Sequence, residues 1–174
     1  MSEAFRGEFN QKVDAKARVS IPAPFRRILE AGDPSFTSGS RPRFVIVYGG
    51  DNRDYLECYT VAEMGRVETK IARLPMGSPQ RRYLERNMIT LSLMVEIDDD
   101  GRIVLPQKGR DKLGVSSDEM KEGLEAVFAG TLNKFQIWKG ATYEAELAKH
   151  AAAEADVLPE GADMLSLLPD DFEG

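Results

Sequence analysis

Short stretches of alternating or continuous apolar residues, separated by turn residues, run along most of this chain and predict a protein made mainly of β-strands. Residues 44–48 are apolar throughout, which is typical of a buried strand, and a turn at residues 49–52 separates them from the next strand. Asp100-Gly101 also lies between two apolar stretches, and this dipeptide favours a tight turn. The predicted strands cover residues 5–13, 19–21, 44–48, 55–59, 95–97, 103–105, 124–129 and 134–138.

Apolar residues spaced three and four positions apart predict helices between these strands. A short helix over residues 24–31 has its apolar residues on one face and ends at Gly32. Thr60 and Glu63 form a capping box, which indicates the start of a longer helix. The further predicted helices begin near Ser78, Pro106 and Thr142, and residues 33–43 and 114–123 are predicted loops.

One sequence pattern occurs twice, 84 residues apart, as DAKARVSIP at residues 14–22 and DDDGRIVLP at residues 98–106. Both copies share the aspartate, the arginine, the proline and a further arginine that follows the proline. The aspartate can accept hydrogen bonds from the N–H groups of a turn, and the arginine then places a forked, permanently charged donor just beyond the turn. A single copy would most simply be a braced turn, but the repetition favours one functional unit that is used twice.

The repeat divides the chain into two similar halves, residues 4–75 and 76–150, followed by an acidic tail at residues 151–174. One strand–turn–strand–helix–hairpin unit has too few strands to bury both of its faces or to cover its edges. Two units in one chain can interlock and cover each other's edges. We therefore expect an α+β fold, mainly β, in which both repeats build one β-barrel with pseudo-twofold symmetry and flanking helices.

The charge of the chain is unevenly distributed. The formal net charge is −6, but residues 1–90 contain 15 Lys and Arg against 11 Asp and Glu, whereas residues 91–174 contain 8 against 18. The attraction of a phosphate backbone to a protein depends on the local charge of the surface that it meets more than on the net charge of the chain. The first copy, which has Lys16 where the second has Asp100, is therefore the stronger candidate for a polyanionic partner.

The sequence contains neither a known catalytic motif nor a multi-cysteine metal motif. Cys58, the single cysteine, lies within a predicted apolar strand, and His150, the single histidine, lies in an alanine-rich helix. Residues 96–107 superficially match a calcium loop but end in Gln107, where such a loop needs a glutamate. We expect no enzymatic activity, no cofactor, no metal site and no small-molecule substrate.

The apolar stretches also bear on where the protein is found. None is long enough to cross a membrane, and the first residues lack the apolar segment of a secretory signal. We therefore expect a cytoplasmic protein with no membrane partner.

The motifs taken together resemble a known family. FRGEF at residues 5–9, the two D-x-x-x-R motifs and NKFQIW at residues 133–138 are similar to the MraZ family of bacterial transcriptional regulators, which are encoded at the head of the division and cell-wall gene cluster. The resemblance implies tandem SpoVT/AbrB-like domains with a swapped-hairpin fold and a ring-shaped homo-oligomer. It also implies sequence-specific binding to double-stranded DNA at promoter repeats, including those of the protein's own gene, and an association with the nucleoid.

The resemblance also implies which residues read the DNA. Lys16 and Arg18 of the first copy and Arg102 of the second would contact it, and the aspartates would shape the turns. The family often has glycine before the motif arginine, as at Gly101, whereas the first copy has Ala17, which tolerates a positive φ poorly. The predicted DNA-binding residues are Lys12, Asp14, Lys16, Arg18, Asp98 and Arg102.

A second class of function stays open. A protein of this fold can be an antitoxin-like or other protein-interaction module, whose acidic tail would engage a basic partner. The seven acidic residues that follow Lys149, with no Lys or Arg among them, make the tail the candidate segment.

Overall fold

The computed structural model describes residues 3–170 and divides the chain into two compact units, one that ends at Gly140 and one that begins at Ala141. The first unit combines helices with antiparallel strands, in agreement with the predicted α+β class. Within residues 3–170, the strands form a six-stranded sheet and a separate two-stranded ribbon. They are β1 (Glu8–Val13), β2 (Arg18–Ser20), β3 (Arg43–Val47), β4 (Leu56–Thr60), β5 (Ser92–Glu96), β6 (Arg102–Val104), β7 (Leu124–Gly130) and β8 (Phe135–Lys139).

The six-stranded sheet has the order β1-β7-β8-β4-β3-β5, and all of its neighbouring strands are antiparallel. It mixes the two repeats, because β1 pairs with β7 and β5 pairs with β3. The two hairpins meet at the centre, where Leu56 of β4 lies opposite Ile137 of β8. Among the residues described, β1 and β5 each pair with one strand only and then continue through a turn towards the ribbon. The sheet therefore has two edges, and its hydrogen-bonded pairs do not close the predicted barrel.

The ribbon is formed by β2 and β6, one strand from each repeat. Two reciprocal hydrogen bonds extend it: the N–H of Ile21 donates to the carbonyl oxygen of Gly101 at 2.9 Å, and the N–H of Leu105 donates to that of Ala17 at 2.8 Å. Ile21 is equivalent to Leu105 in the repeat, and Ala17 is equivalent to Gly101. The repeats are thus related by a local pseudo-twofold axis at the ribbon.

The core is built around phenylalanine side chains that fix the first helix, α1 (Ala23–Ala31). Pro22 precedes this helix, where its lack of an N–H group leaves no hydrogen bond unmade. The ring of Phe25 lies 4.9 Å from that of Phe135 and 5.3 Å from that of Phe5, measured between centroids. Each fully buried phenylalanine contributes about 1.5–3 kcal/mol of burial free energy, so α1 is held firmly behind the first motif.

The second helix, α2 (Val61–Ala72), follows β4 directly and begins where the sequence predicts. The hydroxyl of Thr60 accepts the N–H of Glu63 at 3.0 Å, which satisfies one of the donors at the helix start. Met64 and Ile71 pack with buried apolar residues of β3 and β4. The helix therefore begins where its capping residues predict and buries the face that carries Met64 and Ile71.

The helix predicted from Ser78 is interrupted. It consists of α3 (Pro79–Leu84) and a π-helix over Glu85–Thr90. The π-helix brings Asn87 against the turn between β3 and β4, where a Cβ on Gly49 would lie 2.1 Å from the Asn87 carbonyl oxygen. The Asn87 side chain also accepts the N–H of Gly50 at 3.0 Å. The helix start was predicted correctly, but the change in helix type has no signature in the apolar pattern.

After α4 (Gln107–Leu113), residues 114–123 are not the loop that the sequence predicts. They contain a one-turn-and-a-half helix, α5 (Ser117–Glu122). The Oγ of Ser116 accepts the N–H of Glu119 at 3.2 Å, and the Glu119 carboxylate accepts the N–H of Ser116 at 3.1 Å. This capping box stabilises a helix that is too polar to be found by apolar periodicity.

The second unit contains α6 (Gly140–Glu154), of which Gly140 belongs to the first unit, and a 3₁₀ turn at Met164–Leu167. The helix predicted from Thr142 is present and extends into the segment assigned to the acidic tail. Residues 171–174 of that tail lie outside the described part of the chain. No helix within residues 3–170 is long and apolar enough to span a membrane.

Candidate nucleic-acid interface

The first motif forms a tight turn around the carboxylate of Asp14. One carboxylate oxygen accepts the N–H of Lys16 at 2.9 Å and the N–H of Arg18 at 2.8 Å, and the other accepts the Nε–H of Arg18 at 2.7 Å. The hydrogen bond from the Arg18 N–H is the main reason why the pKa of Asp14 lies below its ordinary value. Asp14 is therefore an ionised brace that fixes both the turn and the arginine.

The turn presents cations on its outer side. The Arg18 side chain is 37% exposed, and its Nη groups have no hydrogen-bond partner within residues 3–170. Lys16 is exposed at the tip of the turn, and Lys12 is exposed on β1 just before it. The first motif thus exposes three cationic groups that another molecule could bind: the oriented guanidinium of Arg18 and the ammonium groups of Lys12 and Lys16 on flexible side chains.

Ala17 adopts the positive φ that was expected to be unfavourable for it, at +62°. The residue is 1% exposed and belongs to the core cluster, and its carbonyl oxygen accepts the N–H of Leu105. Burial of its methyl group and this hydrogen bond offset a left-handed conformation that costs about 1–2 kcal/mol. The replacement of glycine by alanine therefore leaves the turn intact.

The second motif has the same backbone turn but a different side-chain arrangement. Asp98 accepts the N–H groups of Asp100 and Arg102, each at 2.9 Å, and the bond from Arg102 is the main cause of its lowered pKa. The Nε of Arg102 lies 3.9 Å from the nearest Asp98 oxygen, beyond hydrogen-bonding distance. Its Nη2 instead donates to Asp100 at 3.2 Å. Part of the fork of this second arginine is therefore engaged by a neighbouring carboxylate.

Both motif arginines lie on one exposed face of the β2–β6 ribbon. Arg18 is paired with Val104, and Arg102 with Ser20, so these four residues share a face. The opposite face is buried, since Val19 and Ile103 are 1% and 2% exposed. The two permanently charged arginine side chains thus lie on the same outer face of the ribbon, and their positions differ by two residues along its length.

Comparison with known proteins identifies the relatives of this chain. A family model described as "MraZ protein, putative antitoxin-like" matches residues 88–160. A protein of Cereibacter sphaeroides called "Transcriptional regulator MraZ" is 72% identical over 168 residues, which are 97% of each chain. This chain belongs to the MraZ family. A protein of the same name from Ruegeria pomeroyi is 46% identical over 97% of this chain and 96% of its own length. Another from Nitrosococcus oceani is 32% identical over 94% of this chain and 99% of its own length.

The structure of this MraZ-family chain brings two further arginines to the second turn. A Cβ on Gly101 would lie 1.6 Å from Nη1 of Arg26, so the guanidinium of α1 lies directly over this glycine. Arg41, in the predicted loop 33–43, forms an ion pair with Asp99, with Nε–Oδ1 3.2 Å and Nη2–Oδ2 3.4 Å. Arg26 belongs to the repeated pattern and could have been suspected from it. Nothing in the sequence indicates the position of Arg41.

Proposed function

We propose that this protein is a sequence-specific, DNA-binding transcriptional regulator whose β2–β6 ribbon enters the major groove of double-stranded DNA. The observation that carries the proposal is the common exposed face of Arg18 and Arg102 on this ribbon. The major groove admits a two-stranded ribbon, and an arginine fork matches the O6 and N7 acceptors of guanine. The name "Transcriptional regulator MraZ" of relatives up to 72% identical supports the same function.

The two turns would contribute unequally. Arg18 is braced by Asp14 yet keeps its Nη groups available, so it is the main candidate for reading a base. Arg102 would read a base only after it exchanges its contact with Asp100. Lys12 and Lys16 would bind phosphates, which supply much of the affinity of DNA-binding proteins.

The mixed pairing of the repeats supports a swapped-hairpin, AbrB-like barrel as the underlying architecture, with residues 4–75 and 76–150 as its two halves. Strands of each half pair with strands of the other in both the sheet and the ribbon. We propose that several chains assemble into a ring, which acts in the nucleoid on repeats in the promoter of the division and cell-wall gene cluster and of its own gene.

The test is an electrophoretic shift with the DNA that lies upstream of the protein's own gene. A duplex of the same composition and shuffled sequence is the control, and both are measured over a series of salt concentrations. We expect tight binding to the upstream DNA and weak binding to the control, with affinity that falls steeply as salt rises. Equal affinity for both duplexes would argue against a sequence-specific regulator.

An antitoxin-like or other protein-interaction function is the alternative, and one observation favours it. The 3₁₀ turn at Met164–Leu167 holds Met164, Leu165 and Leu167 with 74%, 67% and 53% of their surfaces exposed. Deletion of residues 155–174 leaves the whole of α6 in place. DNA binding should survive this deletion, whereas an interaction through the tail should not.

A further inference from the structure

The predicted loop at residues 33–43, which follows α1 and ends at the first residue of β3, is fixed at both ends. The side chain of Asp33 is 1% exposed and accepts hydrogen bonds from the N–H and Nη2–H of Arg43 at 2.9 and 3.0 Å, and from the N–H of Ser35 at 3.0 Å. The carbonyl oxygen of Pro42 accepts the N–H of Ile97 at 2.9 Å. Ile97 immediately precedes the second turn. The end of this loop is therefore held beside that turn by backbone contacts, independently of any surface charge.

This arrangement places Arg41 on the outside of the second turn. Its ion pair with Asp99 is open to solvent, since the Arg41 side chain is 50% exposed and that of Asp99 is 80% exposed. An exposed pair of this kind contributes little to stability, typically about 0–1 kcal/mol. The guanidinium can therefore exchange one anionic partner for another at little cost, and a DNA phosphate is such a partner.

The two turns differ in the charge of their own residues, and this difference indicates why an arginine from elsewhere in the chain would be needed for DNA binding at the second turn. The first turn has its own cations at Lys12 and Lys16, and the equivalent positions in the second turn are Glu96 and Asp100. The residue on the neighbouring strand has the opposite charge in each case. Lys12 on β1 lies opposite Glu125 on β7, and Glu96 on β5 lies opposite Arg43 on β3. The basic groups at the second turn thus come from a distant part of the chain.

The space around this turn is suited to a phosphate contact. An open cleft of about 520 Å³ lies between α1, the loop and the turn. Arg26, Arg27 and Arg41 line it together with Glu30 and the aspartates at residues 98–100. These three arginines are the positively charged side chains of a cleft that also carries four carboxylates, so a phosphate contact in the cleft would depend on them.

We propose that Arg41 binds the DNA backbone at the second turn, and that Asp99 competes with the phosphate for it. The loop at residues 33–43 thereby supplies in the second half the charge that Lys12 and Lys16 supply in the first. This inference rests on the proposed DNA-binding function. It adds a phosphate-binding residue that lies outside both D-x-x-x-R motifs.

The experiment compares Arg41→Ala and Asp99→Asn in the full chain, by fluorescence anisotropy with the upstream duplex and the shuffled duplex. The matched control is Arg66→Ala, because the Arg66 side chain is also exposed and also pairs with a carboxylate, that of Glu63, but lies on α2. Arg41→Ala should weaken binding to both duplexes by the same factor, about fivefold, and should lower the slope of log affinity against log salt by about 0.9 per site. Asp99→Asn should strengthen binding, and Arg66→Ala should leave it unchanged.

A purely structural role for the ion pair predicts a different result. Both partners would then act in the same direction, so Arg41→Ala and Asp99→Asn would both weaken binding and both lower Tm. That result, or an Arg41→Ala variant that binds like Arg66→Ala, would overturn the inference. Arg18→Ala separates this failure from that of the proposed function: if Arg18→Ala loses specific binding while Arg41→Ala does not, only the role of Arg41 is wrong. If neither variant loses binding, the ribbon and the second turn are not the DNA-binding surface, whereas equal binding of the wild type to both duplexes would show that the proposed function itself is wrong.

Discussion

The Nε–H of Arg18 donates a hydrogen bond to Oδ2 of Asp14 across 2.7 Å, and this contact fixes the direction in which the guanidinium leaves the turn. The pair is partly exposed, with 37% of the arginine side chain and 34% of the aspartate side chain open to solvent, so its value for stability is small. Its value for recognition is larger. An arginine side chain that is already oriented loses less conformational entropy when it binds a base.

Arg18→Ala should reduce specific DNA affinity strongly while leaving the fold and the oligomer unchanged. A bidentate contact between arginine and guanine is worth about 1–3 kcal/mol, and an oligomer that reads several repeats multiplies the loss. Arg102→Ala is the matched control and should lose less, because the Arg102 fork already donates to Asp100 at 3.2 Å. Anisotropy titrations measure the affinities, and size-exclusion chromatography checks the assembly. An Arg18→Ala loss no greater than that of Arg102→Ala would contradict the unequal roles of the turns.

Asp14→Asn should lower both Tm and DNA affinity at pH 7, and the effect on Tm should disappear in acid. The pKa of Asp14 is lowered in the folded protein, mainly by the N–H of Arg18. A carboxyl group of this kind stabilises the folded state above its unfolded pKa of about 3.9 and loses that contribution as the pH falls through the folded value. Asparagine does not titrate, so the wild-type advantage should be full at pH 7 and should shrink below about pH 4.

Thermal unfolding of both proteins between neutral and acid pH tests the role of Asp14. A Tm difference that stays constant over the whole range would show that ionisation of Asp14 does not stabilise the turn. An unchanged Tm at pH 7 combined with weaker DNA binding would show that Asp14 does not brace the turn.

The repeated motif made the two turns predictable. The spacing from Asp14 to Arg18 and from Asp98 to Arg102 is local, and an aspartate that precedes a turn accepts nearby N–H groups wherever the turn forms. Apolar periodicity also predicted the strands and the helices other than α5 and the π-helix, and the β3–β4 and β7–β8 hairpins were correctly placed.

The contacts between distant residues were not predictable. Arg41 and Asp99 are separated by 58 residues, and their pairing depends on the register of β3 against β5. The position of Arg26 over Gly101 likewise depends on how the repeats pair in three dimensions. A single sequence determines such registers only through the packing of the whole core, which local patterns do not describe.

Gly101→Ala should destabilise the protein and also weaken DNA binding. Gly101 has φ +77°, and a Cβ there would lie 1.6 Å from Nη1 of Arg26, so the guanidinium must move. Gly114→Ala is the matched control, because Gly114 has φ +68° but no atom within 4 Å of an added Cβ. Both variants should lose about 1–2 kcal/mol of unfolding free energy from the left-handed backbone alone. Only Gly101→Ala should lose DNA affinity, because it alone displaces the Arg26 guanidinium from the second turn, and equal affinities in the two variants would show that this displacement does not affect DNA binding.

DNA affinity should depend on the number and spacing of repeats more than on any single site. The chain carries a net charge of −6, and only its first turn combines exposed lysines with an arginine whose Nη groups have no hydrogen-bond partner within residues 3–170. One chain should therefore bind weakly. In the proposed ring, several first turns meet successive repeats, and linked sites raise overall affinity by about 10²–10⁴ when their spacing matches.

Three duplexes of equal length test this avidity: one with a single repeat, one with several repeats, and one in which alternate repeats are shifted by half a helical turn. The shift moves those repeats to the opposite side of the DNA, away from the face that a rigid ring contacts. We expect tight binding only to the correctly spaced repeats, with the steepest dependence on salt, because that complex neutralises the most phosphates. Equal affinity for all three duplexes would mean that a single turn reads a single site, and Arg18 would then have to supply the specificity without help from neighbouring chains.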